Sequence, residues 1–91
     1  MSELEKRMQA VLDEISQYLV PDTERNVREL LVHGEAGIAL ELLCSQLAEF
    51  DIAIPLKIKE QLAVFAEDMG MEVSELQELK SFTGVSRDGS S

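Results

Sequence analysis

Cys44 and His33 are the first residues to examine for chemistry, because they are the one cysteine and the one histidine of the chain. With one of each, no pair of Cys or His ligands can hold a zinc ion. Cys44 could act as a nucleophile with His33 as its base, but it lies among leucines on a predicted helix, where a cysteine usually packs as a small hydrophobe. His33 precedes Gly34 at a predicted helix end, where a cation complements the helix dipole. We therefore expect Cys44 in the core and a structural role for His33.

Gly34 and Gly37 lie close enough together to suggest a phosphate-binding loop, but the strand and the lysine that such loops require are missing. A helix C-cap at Gly34 and a close helix–helix contact at Gly37 explain both glycines. The chain has 18 acidic residues among 91, so chance pairs of carboxylates do not indicate acid–base catalysis. No EF-hand spacing occurs. The sequence predicts a protein that is not an enzyme and needs no metal or other cofactor.

The charge balance limits the partners that the chain can bind. Eight basic residues against 18 acidic ones give a net charge of −10. A chain of this charge repels phosphate backbones and anionic membrane surfaces, so we expect no direct binding of nucleic acid and none of membranes. A basic protein is the partner that it would attract. The alternative is that the charge serves only solubility.

Helical periodicity dominates the elements that carry these residues. A first helix is expected from a capping box at Ser2 and Glu5 to Pro21, with Asp22 or Thr23 capping the second helix, which ends at Gly34. The apolar residues of the first helix share one stripe, formed by Leu4, Met8, Val11, Leu12, Ile15 and Leu19,. A third helix is expected over about residues 35–49, with an inward face of Ala36, Ala39, Leu40, Leu43, Leu47 and Phe50,.

The second half of the chain continues the pattern. Residues 50–54 form an extended connection, the one stretch that could be a strand, and Pro55 lies in the first turn of a fourth helix that Gly70 closes. A short fifth helix is expected from Ser74 to about Phe82. The predicted fold is all-α, a compact bundle of four to five short antiparallel helices. Residues 1–83 form a single helical domain, and residues 84–91 form a flexible polar tail.

Cellular context follows from what the sequence lacks. A single cysteine cannot form an intramolecular disulfide, and no stretch approaches the about 20 apolar residues that cross a bilayer. The first ten residues are not expected to be a signal peptide. We expect a cytoplasmic location.

The acidic residues of the second half suggest a binding surface. No basic residue lies between Arg28 and Lys57 or between Lys59 and Lys80. On helix three, apolar residues surrounded by acids would suit an interface with a basic partner, with affinity from the apolar centre and association rate from the charged rim. In a small bundle the alternative is that helix three buries both faces. The predicted binding residues are Ile38, Glu41, Leu42, Ser45, Glu49, Asp51, Glu60 and Glu67.

The same region carries a family resemblance. Residues 33–44 match the pattern HGE-x-x-x-ALE-x-L-C, and an Asp51-x-x-Ile54 step and Met69-Gly70-Met71 follow. This pattern, within about residues 25–80, resembles MafI-type immunity proteins of polymorphic toxin systems. The resemblance implies a cytoplasmic antitoxin that binds and neutralises the toxic C-terminal domain of a secreted effector, as in contact-dependent growth inhibition. Many such toxins are basic nucleases.

Two classes of function therefore stand. The first is an immunity protein that inhibits a toxin domain, expected to be a nuclease, by binding it stoichiometrically. The second is a self-associating helical adaptor or structural protein, whose homodimer would use Ile38 and Leu42. A third, a regulatory domain acting on nucleic acid, is disfavoured by the charge. Light scattering separates the first two, because an antitoxin does not need to self-associate.

Overall fold

A computed structural model describes residues 3–72 and 74–83. In this part of the chain, four helices of 12 to 14 residues are followed by a single-turn helix, and two short strands pair with each other. The predicted all-α fold is confirmed. In chain order the elements are α1 (Glu3–Ile15), a 3₁₀ turn (Ser16–Tyr18), α2 (Pro21–Val32), α3 (Ala36–Glu49), β1 (Ile54–Pro55), α4 (Leu56–Asp68), α5 (Ser74–Gln77) and β2 (Ser81–Phe82).

The first helix is shorter than predicted. Its α-helical part ends at Ile15, and the chain then tightens into a 3₁₀ turn that ends where the Leu19 amide donates to the Ser16 carbonyl at 3.1 Å. The reason is Pro21, whose ring disfavours helical backbone in the preceding residue, and Val20 is accordingly extended (ψ 133°),. The predicted capping residue Ser2 lies outside the described residues.

Pro21 begins the second helix, where the sequence predicted that it ends the first. It occupies the first turn of α2, where its missing N–H costs nothing,. The predicted cap at Asp22 or Thr23 is wrong, because Val20 is the N-cap and makes no side-chain hydrogen bond. Thr23 is buried instead, and its hydroxyl donates to Oε1 of Gln46 on α3 at 3.1 Å. It therefore ties α2 to α3.

The ends of α2, α3 and α4 share one backbone motif. In each, a residue with positive φ follows the C-cap, and two amides donate back to the last turn in the Schellman pattern,. The predicted C-cap glycines Gly34 (φ 79°) and Gly70 (φ 70°) are confirmed, and Asp51 (φ 58°) fills the same position after α3. In each motif two consecutive amides donate to two carbonyls of the last turn. The donor and acceptor pairs are Gly34 to Leu31 and Glu35 to Leu30 after α2, Asp51 to Ala48 and Ile52 to Leu47 after α3, and Gly70 to Glu67 and Met71 to Ala66 after α4.

Gly37 is not at the close contact that we predicted. A Cβ atom added there would meet Sδ of Met71 at 3.8 Å, which is an ordinary van der Waals distance. The neighbouring segment is therefore far enough away to accept a methyl group, so packing does not require glycine at this position.

The C-terminal part of the domain differs most from the prediction. The fifth helix ends at Gln77, and Ser81–Phe82 pair in parallel with Ile54–Pro55. The ammonium group of Lys59 donates to the carbonyls of Gln77 and Leu79 at 3.0 and 2.8 Å. Pro55 lies in β1 and is the N-cap of α4, one residue before the position predicted for it. Residues 84–91, predicted to form a flexible tail, lie outside the described residues.

A single apolar core unites the helices. Cys44 belongs to it at 4% exposure, as predicted. Phe50 does not, although the sequence placed it on the inward face: it is half exposed, because it is the C-cap of α3, where the chain turns away through Asp51. The most completely buried side chains are Phe65, Met8, Leu12, Ile15, Leu31, Leu40, Leu43, Leu47, Ile54, Ile58, Leu62 and Val27.

Candidate protein-binding surface

The outer face of α3 carries most of the predicted binding residues. Ile38 is 50% exposed, whereas Leu42 is partly buried and packs against the core. Glu41, Ser45 and Glu49 are exposed on the same side of the helix, opposite the buried face,. The alternative that α3 buries both faces is therefore wrong at Ile38. The structure presents one exposed isoleucine between acidic side chains.

The acidic side chains of this surface are uncompensated. Glu41 and Glu49 on α3 and Glu60 and Glu67 on α4 are exposed, and within the described residues none of them makes a hydrogen bond or an ion pair. Asp13, Glu14, Asp22 and Glu24, on α1 and α2, each pair with a basic side chain instead. Unpaired charge remains available to a partner. The four predicted carboxylates can therefore act on charges outside the molecule.

Arg28 shows how the fold uses its positive charges. Its guanidinium donates to Gln9 and Asp13 on α1, at 2.6 and 2.8 Å, and to Glu24 on its own helix at 3.0 Å. Burial alone lowers the pKa of Arg28, but the hydrogen bonds and charges of Asp13 and Glu24 outweigh it and raise the pKa above its ordinary value,. The guanidinium stays charged and clamps α1 to α2.

Other basic side chains are also engaged within the fold. Lys57 pairs with Glu14 at 3.4 Å, and the guanidinium of Arg7 lies 5.3 Å from the centre of the Phe65 ring. Together with the hydrogen bonds that Lys59 of α4 donates to the carbonyls of Gln77 and Leu79, these contacts hold α4 against its neighbours. Of these cations only Lys57 pairs with an acid, Glu14 of α1, and none of them pairs with the carboxylates on the outer faces of α3 and α4.

Asp51 differs from the other predicted binding residues. It terminates α3 in the left-handed conformation, and its Oδ2 accepts a hydrogen bond from Nζ of Lys80 at 2.7 Å. This ion pair joins the end of α3 to the residue before β2. The structure thus gives Asp51 a role within the fold and balances its charge.

On α4 the structure adds apolar residues that the sequence analysis missed. Leu56 and Val64 are 37% and 44% exposed, and helical geometry places them on the same side as Glu60 and Glu67,. Glu41 of α3 and Ala66 of α4 line one small cavity, so the end of α4 borders the acidic side of α3. The exposure of Leu56 and Val64 could have been predicted from the sequence. Leu56, Glu60 and Val64 follow each other at four-residue spacing, on the side of the helix opposite the inward stripe of Ile58, Leu62 and Phe65,.

The residues considered for chemistry do not form a site. Cys44 is buried on α3, whereas His33 is exposed at the C-cap of α2. Within residues 3–72 and 74–83, no three His, Cys, Asp or Glu side chains are grouped so that they could hold a metal ion. The features that remain on the described surface are exposed apolar residues and carboxylates that no described residue pairs with.

Comparison with protein families, with curated proteins and with solved structures found no match to this chain. The resemblance to MafI-type immunity proteins therefore stays a prediction. None of the helices in the described part of the chain is long and apolar enough to cross a lipid bilayer.

Proposed function

We propose that this chain is an immunity protein that binds the toxic C-terminal domain of a secreted effector and neutralises it. The observations that carry the proposal are the half-exposed Ile38, one helical turn from Glu41, and a set of exposed carboxylates without a partner among the described residues: Glu41, Glu49, Glu60 and Glu67. The resemblance of residues 33–44 to MafI-type proteins supports the same function.

The proposed partner is a basic nuclease domain. A nuclease carries positive charge where it holds phosphates, and unpaired carboxylates complement such a surface. Ile38 would supply an apolar centre from which water is excluded, and the acids around it would form the rim. The protein would act in the cytoplasm by stoichiometric binding and not by catalysis, either filling the cleft of the toxin or covering its substrate-binding face.

A self-associating adaptor is the second candidate, and the exposure of Ile38 favours it. A twofold contact through Ile38 would, however, bring the acidic outer face of α3 in one copy against the same face in the other. Like charges across an interface cost several kcal/mol, and each copy carries a net charge of −10. A basic partner therefore fits this surface better than a second copy.

The test uses the domain encoded at the end of the adjacent upstream reading frame as the partner. The parent chain is expected to protect cells that express this domain and to form a 1:1 complex with it in light scattering. Ile38→Ser is expected to weaken binding about tenfold, because it removes apolar contact at the centre of the interface. Val32→Ser is the matched control, since Val32 is 65% exposed on α2. Failure of the parent to protect or to bind would overturn the proposal, and a dimer of the chain alone would favour the adaptor.

A further inference from the structure

The aromatic residues of this chain are distributed unusually between core and surface. Of three phenylalanines and one tyrosine, only Phe65 is a core residue. Phe50 and Phe82 are 50% and 37% exposed. Aromatic side chains offer the largest apolar area for burial in a core, so leaving two exposed in a chain with so few is an observation that needs an explanation.

The segments that carry these exposed rings are joined by the β1–β2 pairing and by one ion pair. Phe82 of β2 is opposite Pro55 of β1, and its ring contacts that of Tyr18 edge to face, with 6.0 Å between the centroids. Leu56, 37% exposed, follows Pro55 directly. Phe50 ends α3, one residue before Asp51, which pairs with Lys80 at the start of this strand segment. We call Tyr18, Phe50, Leu56 and Phe82 the aromatic end.

Two carboxylates beside the aromatic end have no partner among the described residues. Glu49 precedes Phe50, and Glu60 lies one helical turn after Leu56; both are exposed and, among the described residues, unpaired. Of the lysines in this region, Lys80 pairs with Asp51 at 2.7 Å and Lys57 pairs with Glu14 at 3.4 Å. Lys59 donates to the carbonyls of Gln77 and Leu79. An apolar patch with a negative rim complements a patch of apolar and basic side chains. A second copy of this chain would instead bring Glu49 and Glu60 of both copies into the same interface.

We infer that the aromatic end anchors the partner, with Phe50 and Phe82 inserted between basic side chains of the toxin domain. This inference rests on the proposed function and extends its surface from the middle of α3 to the junction of α3, α4 and β2. Aromatic residues dominate the binding energy of protein interfaces when they fill pockets that exclude water. Glu49 and Glu60 would fix the orientation of the partner around them.

The test measures the affinity of the parent, Phe50→Ser, Phe82→Ser and the control Val32→Ser for the same upstream-encoded domain. We expect each phenylalanine variant to bind about 25-fold more weakly and the control to bind like the parent. Circular dichroism checks that each variant keeps its helices. Because Phe82→Ser could disturb β2, amide shifts of the parent are also followed by NMR during titration, and they should change at residues 50–56 and 80–83.

The outcomes separate the inference from the function. If the parent protects and binds but both phenylalanine variants bind equally well, or the amide shifts are confined to residues 36–46, the aromatic end is not the anchor, and the immunity function stands. If the parent neither binds nor protects, the proposed function fails, and the inference fails with it.

Discussion

Asp51 adopts a backbone conformation that glycine reaches at lower cost. Its φ of 58° places it in the left-handed region, where a side chain on an L-residue costs about 1–2 kcal/mol,. Asp is among the few residues that tolerate this region, and here its carboxylate also reaches Lys80,. Both partners of this ion pair are more than half exposed, so the pair contributes at most about 1 kcal/mol,. The conformational cost is therefore the larger effect.

We predict that Asp51→Gly stabilises the domain by about 0.5 kcal/mol, because it relieves the left-handed backbone and loses only a surface pair. Asp51→Asn is the matched control, since Asn tolerates the same backbone but cannot form the ion pair; a loss within about 0.5 kcal/mol is expected. Thermal unfolding followed by circular dichroism measures both. An Asp51→Gly variant less stable than Asp51→Asn would show that the backbone of Asp51 is not strained.

At the scale of the elements, α3 separates its two faces sharply. Leu43 is 1% exposed and belongs to the core, whereas Ser45, two residues later, is exposed. An unpaired carboxylate buried at position 43 would lose its hydration without gaining a partner. The stability of a domain of this size is only about 5–14 kcal/mol.

We predict that Leu43→Asp unfolds the domain, since a buried unpaired charge costs more than about 4 kcal/mol and the lost burial of leucine adds about 2–5 kcal/mol. Ser45→Asp introduces the same side chain into the same helix on its outer face, and its effect is expected to stay within about 0.5 kcal/mol. Melting curves of both variants check the orientation of α3. Parent-like melting of Leu43→Asp would mean that the helix is rotated from the position described.

The elements also show where prediction from sequence ends. The buried stripe of α1 and the C-caps at Gly34 and Gly70 follow from local periodicity and local backbone preference, and they were predicted,. The strand pair of Ile54–Pro55 with Ser81–Phe82 was not, because it depends on chain segments 27 residues apart. Local spacing carries no information about such pairing.

The residues of the candidate surface also differ in whether their exposure could be predicted from the sequence. The exposure of Glu41, Glu49, Glu60 and Glu67 could be predicted from their helical positions,. The exposure of Phe50 could not, because it depends on Asp51 turning the chain at the end of α3. The ion pair of Asp51 with Lys80 joins distant segments and was equally hidden.

For the whole molecule, the contrast that matters is between paired and unpaired charge. Ion pairs with Arg25, Arg28 and Lys57 occupy acidic residues of α1 and α2, whereas Glu49 and Glu60 face solvent without a described partner. Fields from exposed charges act over about 8 Å at physiological ionic strength and farther at low salt. Such a field increases the rate at which a basic partner arrives.

We predict that the association rate with the upstream-encoded toxin domain falls as salt rises, because ions screen the attraction. At low salt, Glu49→Lys and Glu60→Lys should each slow association about threefold, and the difference from the parent should shrink at high salt. Glu29→Lys is the control: it is exposed and, within the described part of the chain, unpaired, but it lies on α2. Stopped-flow kinetics gives these rates. Equal slowing by all three variants would mean that only the net charge of the protein affects association. An association rate independent of salt would mean that the acidic residues serve solubility and not binding.

The contact between Tyr18 and Phe82 has an optical consequence. The chain has one tyrosine and no tryptophan, so its intrinsic fluorescence comes from a single phenol ring. That ring lies 6.0 Å from the ring of Phe82, between the end of α1 and β2. The tyrosine emission of the unlabelled protein therefore reports on the surroundings of Tyr18. We expect its intensity to change when β2 moves or when a partner covers this ring.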